Sequence, residues 1–400
     1  MNRNRTADAI VVGGGVIGAA IAHRLALAGL GRIVLCDQGR VAAQGATARS
    51  GGLLRLHHTA APDTLLTARS LPVFEQWTER IGGDCGYRRT GFLMLVGPDH
   101  VETLRANGAV AADALRYERA EILAPDEIRS LYPGLSTEGV AAAAYEPAGG
   151  YADPAATAVS LVASARRLGV IASEGTRVER VWERNGSVAG VHTGTGRIEA
   201  PLVVLASGAW GDPPAAHLGV HLPVVPRRIG LAQARLPGAG RRGSDASVPT
   251  CIDDTIGCYF RPEALDQLYF GVPSNPEVDL GQDVAPLTDD EVGAAVQAVS
   301  RRVPAVATAE LVGTRAGYDG YTPDKRPAIG PAGPDGLYLA LGFSGGGFKM
   351  APAVAELAAQ EICEGGAVLG KAVQPLLEPY RPQRFESGNL ITPEASYAHM

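Results

Sequence analysis

Two groups of residues have types and spacings that could do chemistry. In GGGVIG, glycines fall at 13, 15 and 18, and Asp37 follows about twenty residues later. Gly13 permits a tight turn, Gly15 lets backbone approach a pyrophosphate, and Gly18 lets a helix pack on a strand. A helix starting at Val16 and Ile17 would present N–H groups and partial positive charge to that pyrophosphate. Asp37, with Gln38 beside it, would accept hydrogen bonds from a ribose. At the far end, GFSGGGFKM (342–350) sets Lys349 directly after Gly345, Gly346 and Gly347 and next to Phe348. Only three of the 36 basic residues are lysines, so a lysine kept beside a glycine run points to an ammonium needed at close range.

The elements that must hold the first group are legible around it. AIVV is a short apolar run suited to a parallel strand buried on both faces, AAIAHRLALAG is an apolar helix ending at Gly29, and RIVLCD is a second buried strand. Strand, glycine turn, helix, strand and acid within about 30 residues form a dinucleotide-binding unit. That pattern alone does not separate NAD from FAD. At 400 residues the chain is long enough for two domains. A net charge of −6 and no basic cluster exclude nucleic acid on electrostatic grounds. Residues 9–22 are too short to span a membrane, and MNRNRTAD with its following glycines fits a secretory leader poorly, so a cytoplasmic location is expected. The five cysteines show no CxxC pair or metal spacing and read as reduced, mostly buried thiols, with no metal expected.

The segment GATARSGGLLR (45–55) follows the second strand directly and resembles the flavin-contacting loop of the D-amino-acid oxidase family of FAD enzymes. That family includes sarcosine and glycine oxidases and proline and hydroxyproline dehydrogenases. VVLASGAW (203–210), GYDGYTPDKRPAIGP (317–331) and LYLALGFSGGGFKM (337–350) extend the resemblance over nearly the whole chain. It implies an α/β fold: a Rossmann-like FAD-binding domain of the glutathione-reductase type, with an interleaved antiparallel-sheet substrate domain. The FAD domain is expected over 1–85, 150–221 and 315–385, the substrate domain over 86–149 and 222–314, and a C-terminal tail over 386–400. FAD contacts are implied for Ala46, Thr47, Arg49, Ser50, Gly51, Gly52 and Leu53, and for Val178, Ala206, Ser207, Gly208 and Trp210. The glycines at 345–347, Phe348 and Lys349 complete the set.

The resemblance also implies the chemistry. In sarcosine oxidases similar to this chain the lysine matching Lys349 binds a substrate carboxylate, and Arg55 matches the arginine that holds it from the other side. An amino acid or a carboxylate-bearing secondary or cyclic amine would lose hydride to flavin N5 and leave as an imine. Tyr259, Tyr269, Tyr318, His57 and His58 could take the amine proton, and the sequence does not choose among them. Three departures bear on this expectation. Gly346 stands where sarcosine oxidases carry histidine. Gly317 and the ATARS stretch stand where covalent members carry a cysteine or histidine, so FAD is expected non-covalent. Tyr269 stands where monomeric sarcosine oxidases carry an oxygen-activating lysine, which favours a dehydrogenase whose acceptor (oxygen, a quinone or a protein) stays open. The alternatives are a flavoprotein subunit of a larger amine dehydrogenase or oxidase complex, and a peroxide-producing oxidase; homo- or hetero-oligomers fit either.

Local patterns supply the remaining elements. Helical spacing marks 62–81, 85–97 reads as a strand pair, and 99–131 as short helices broken at Pro125. Asn185-Gly186 marks a hairpin, and TDDE (288–291) a capping box opening a helix to about Arg302.

Overall fold

The computed structural model describes residues 5–41, 45–114, 120–211, 213–237, 248–264, 266–280, 284–365, 374–393 and 396–397. AIVV and IVLC, with both faces apolar, become the fully buried strands Ala9–Val12 and Ile33–Cys36 at the centre of a six-stranded sheet. Across the sheet the order is Ala328–Pro331, Leu337–Leu341, Val203–Leu205, Ala9–Val12, Ile33–Cys36, Ile171–Ser173. All neighbours are parallel except the first pair. On one face the helices Val16–Leu27, Pro154–Arg167 and Gly347–Gly365 share an apolar core with residues such as Ile21, Leu161 and Val354. The other face is covered by a four-stranded sheet through Val181, Val191 and Ile198, which pack with Ile10, Val34 and Leu339. Burial on both faces explains why these strands are unbroken apolar runs.

A second sheet of eight strands runs Glu310–Tyr321, Val225–Arg235, Gln267–Val272, Cys258–Ala264, Thr250–Asp253, Phe92–Val96, Ala142–Glu146, Glu121–Leu123. It is antiparallel except for one parallel pair, Thr250–Asp253 with Phe92–Val96. The helix Asp289–Arg302 packs on it through Val292, Ala295 and Val299 against Phe260, Leu268 and Phe270. Thr288 and Glu291 form the expected capping box. Asn185 and Gly186 both take positive φ, 56° and 81°, as a tight hairpin turn requires.

Several local expectations change. Residues 85–97 hold one strand, Phe92–Val96, plus an isolated bridge from Arg88 to Tyr151. Within 99–131, Glu121–Leu123 is an edge strand, and Pro125 opens the helix Pro125–Leu131 instead of breaking one, since its missing N–H costs nothing in a first turn. The division expected at 314/315 falls inside the continuous strand Glu310–Tyr321. Of the tail expected over 386–400, residues 394–395 and 398–400 lie outside the described residues; Tyr397 is buried, its hydroxyl 2.5 Å from His57 Nε2. Cys36, Cys85, Cys251 and Cys258 are buried and Cys363 is partly buried. Among the described residues no helix is long and apolar enough to cross a membrane.

The helix Asp289–Arg302 is tied to the second sheet by a buried ion pair. Arg302, 1% exposed, donates to Asp253, 0% exposed, and also to Ser136 O and Thr255 Oγ1. Removing one member strands the other charge in the core. Asp253→Ala is therefore expected to lower stability by about 3–5 kcal/mol in urea unfolding; a loss below about 1 kcal/mol would contradict this reading.

Candidate functional site

The parallel strands of the six-stranded sheet end, at Val12, at Cys36 and just before Ala206, on a cavity of about 1120 Å³. The second sheet lines it with Ile229, Tyr259, Tyr318, Asp319 and Tyr321. A crevice outside the carboxyl ends of parallel strands is where ligands bind in this architecture.

The glycine motif works by close approach. A Cβ on Gly13 would lie 2.3 Å from Ala206 O, and one on Gly18 only 1.9 Å from Gly13 O. Gly13 also holds φ at +102°, outside the range of other residues. Gly18 thus acts from behind the cavity, seating the first helix, and does not line it; Gly15, Val16 and Ile17 do. Asp37 is fixed at both oxygens, Oδ2 accepting from Gly14 N and Oδ1 from Gly39 N, each at 2.7 Å. Thr47 reaches back from the loop after the second strand, and its Oγ1 accepts from Val16 N at 3.0 Å. Gln38, the 46–53 residues named above, Val178, Ala206, Ser207, Gly208, Trp210, Gly345, Gly347, Phe348 and Lys349 also line the cavity, whereas Gly346 does not. Arg49 packs its chain over Gly317, where a Cβ would meet Arg49 Cγ at 2.7 Å, and its Nε donates to Ala316 O.

This donor set fits FAD. It offers a helix start with no side chain on Gly15 to cap it, a backbone turn that no Cβ could enter, and a fixed carboxylate for a ribose.

At the other end of the cavity stand two buried cations. Arg55 is 9% exposed and Lys349 5% exposed, and both line the cavity. Arg55 donates to His57 O and lies 5.9 Å from the Phe92 ring centre. Lys349 sits in the first turn of Gly347–Gly365, with a long 3.4 Å hydrogen bond to Gly346 O. Among the described residues neither has an ion-pair partner. Burial, with Arg55 nearby, pulls the Lys349 ammonium down to about 7; burial pulls the Arg55 guanidinium down to about 10 against the opposing charges of Glu146 and Asp63.

Of the five proton-acceptor candidates, Tyr259 and Tyr318 line the cavity and Tyr269, His57 and His58 do not. The Tyr259 ring is lodged between Gly51 and Gly271, whose Cβ atoms would fall 2.7 and 2.3 Å from it. Burial raises its phenol, so it stays protonated at neutral pH. Tyr269 is a correction to the expected site. It pairs in register with Arg261, two residues and roughly 7 Å along the strand from Tyr259. There its ring packs on the guanidiniums of Arg261 and Arg315, at 4.7 and 5.8 Å. His57 and His58 are buried behind Arg55, and burial drives His57 down to about 3 and His58 well below its usual value, so both are neutral.

Sequence reasoning missed Asp319. It is 9% exposed, lines the cavity, and accepts from Gly320 N at 2.9 Å and from Gly345 N at 2.8 Å. Burial raises it to about 6 although both hydrogen bonds and Lys349 oppose that. Its place in YDGY carried no spacing signal, because the bond to the glycine run spans 26 residues.

The model of the family described as FAD dependent oxidoreductase (DAO) matches residues 8–361. Mitochondrial dimethylglycine dehydrogenase of Rattus norvegicus is 24% identical over 357 residues, covering 85% of this chain and 41% of that protein. The chain thus spans about two-fifths of the length of such curated relatives. Among solved structures, L-proline dehydrogenase from P. horikoshii matches with a TM-score of 0.86 and 27% identity, covering 97% of this chain and 100% of that one. Glycine oxidase from Geobacillus kaustophilus matches with a TM-score of 0.81 and 25% identity, covering 95% and 99%.

Gly18→Ala would push the first helix off the Gly13 turn. FAD affinity of the refolded protein is expected to fall at least about tenfold, read as flavin retained per chain on dilution. Full retention would show that this close approach does not shape the site.

Proposed function

The chain belongs to the FAD dependent oxidoreductase (DAO) family, and from that premise we propose that it oxidises an amino acid, or a carboxylate-bearing secondary or cyclic amine, to the imine. The observation that carries this reading is the pair of buried cations, neither in an ion pair among the described residues. Arg55 brings a planar fork and Lys349 a point charge, and a carboxylate held by both has its orientation set. Dimethylglycine dehydrogenase, L-proline dehydrogenase and glycine oxidase, the similar proteins above, all carry names of amines with a carboxylate.

Bound FAD supplies the two-electron sink for such an oxidation. Gly13, Gly15, Asp37, Thr47 and the 345–349 segment would hold it. The protein's own residues contribute orientation and removal of the amine proton. The amine must be neutral to react, since its lone pair stabilises the charge that develops on carbon.

We read the cofactor as non-covalent. Arg49 fills the space beside Gly317, no histidine lines the cavity among the described residues, and its one cysteine, Cys36, stands beside Asp37. We also favour a dehydrogenase, because Lys349 is the single lysine among the described lining residues and serves the carboxylate.

Anaerobic addition of an amino-acid panel tests the function: one or more carboxylate amines should bleach the flavin absorbance, and no bleaching by any would contradict it. On admitting air, recovery should be slow next to recovery with an artificial electron acceptor. Lys349→Met should raise KM for the substrate by about ten- to a hundredfold, with a smaller effect on kcat. The pH dependence follows from the lowered Lys349 value. The ammonium is charged below about 7 and loses its proton above it, so KM should rise as pH rises through that range. A KM flat from about pH 6 to 9 would remove Lys349 from the clamp.

A further inference from the structure

We propose that Asp319 is the counter-ion for the substrate's amino group and the acceptor of its proton, so that this end of the cavity takes a zwitterion. The inference rests on the carboxylate-amine reading above and assigns the half of the substrate that Arg55 and Lys349 leave unaccounted for.

Three carboxylates line the cavity among the described residues: Asp37, Glu179 and Asp319. Asp37 follows the strand Ile33–Cys36 and Glu179 lies on Val178–Arg184, both at the nucleotide end. Asp319 stands at the end of Arg55 and Lys349, close enough for its charge to act on the Lys349 ammonium. Among the described residues it has no ion-pair partner. Arg227, its register partner on Val225–Arg235, is taken up by Glu277 at 3.1 Å and by the Tyr321 ring. Two buried cations and one buried anion, none of them in an ion pair among the described residues, mirror a ligand with one carboxylate and one ammonium.

The backbone donors fix the carboxylate without exhausting it. Each oxygen of Asp319 accepts one N–H, from Gly320 and from Gly345, which leaves a lone pair on each. The step balances: an N–H bond of the ammonium breaks, an O–H bond forms on Asp319, and the electron pair stays on nitrogen. The amine goes from +1 to neutral as Asp319 goes from −1 to neutral. Burial that raises Asp319 to about 6 makes it a better-matched acceptor than an exposed aspartate. Tyr259, a protonated phenol, cannot take this proton.

Calorimetric titration of the FAD-loaded protein with two near-isosteric ligands tests this. 2-Aminoisobutyrate and pivalate share a carboxylate and differ by ammonium against methyl, and neither has an α-hydrogen to lose. The wild type should prefer 2-aminoisobutyrate by about tenfold or more. Asp319→Asn should bring the two within about threefold while leaving pivalate affinity in place, and Asp319→Glu, which keeps the charge, should retain part of the preference. Proportionate weakening of both ligands in Asp319→Asn would mean that Asp319 only positions the glycine run, and would overturn the proposal. So would a wild-type preference below about threefold, which needs no variant to fold. Binding of neither ligand by the wild type would instead defeat the carboxylate clamp on which the proposal rests.

Discussion

Keeping two positive side chains out of water, with no ion pair to either among the described residues, is the constraint around which this protein is organised. Desolvation disfavours each charge, and each disfavours the other. Burial, with Arg55 nearby, draws Lys349 down to about 7, and burial draws Arg55 down to about 10 against Glu146 and Asp63. Such an arrangement does not stabilise a fold. It is tolerated because the surrounding structure holds it: Arg55 by His57 O and the Phe92 ring, Lys349 by the start of a long helix seated in the main core. A carboxylate entering between them relieves both penalties at once, which makes this end of the cavity a site prepared for an anion.

The rest of the architecture brings these groups together from distant points of the chain. The six-stranded sheet delivers the glycine turn, Asp37 and Ala206 at one end. The strand Glu310–Tyr321 of the second sheet carries Asp319, which in turn grips Gly345 in front of Lys349. Glycines recur wherever two backbones or a backbone and a ring must touch: Gly13 and Gly18 at the nucleotide turn, Gly51 and Gly271 around Tyr259. Each removes a side chain so that a functional group can be placed within van der Waals contact.

What was legible in the sequence was what is local. The strand–turn–helix–strand unit, the Thr288 capping box and the Asn185-Gly186 turn each announce themselves within a few residues, and all three stand in the structure. Glu121–Leu123 was hidden because a three-residue edge strand with two exposed positions shows no alternation. Tyr269 was misplaced for a subtler reason. Tyr259 and Tyr269 sit on paired strands, and only their register reveals that Gly271, not Tyr269, lies against Tyr259. Asp319 was missed because the bond that ties it to the glycine run comes from Gly345, 26 residues away. Lys349 stood out by its place after the glycine run, whereas its role and Arg55 were reached through resemblance.

The most direct measurement is a crystal structure of the FAD-loaded protein with a small carboxylate bound. The account predicts one carboxylate within about 3 Å of both the Lys349 ammonium and the Arg55 guanidinium. A carboxylate bound elsewhere, or either cation turned out into solvent, would contradict it.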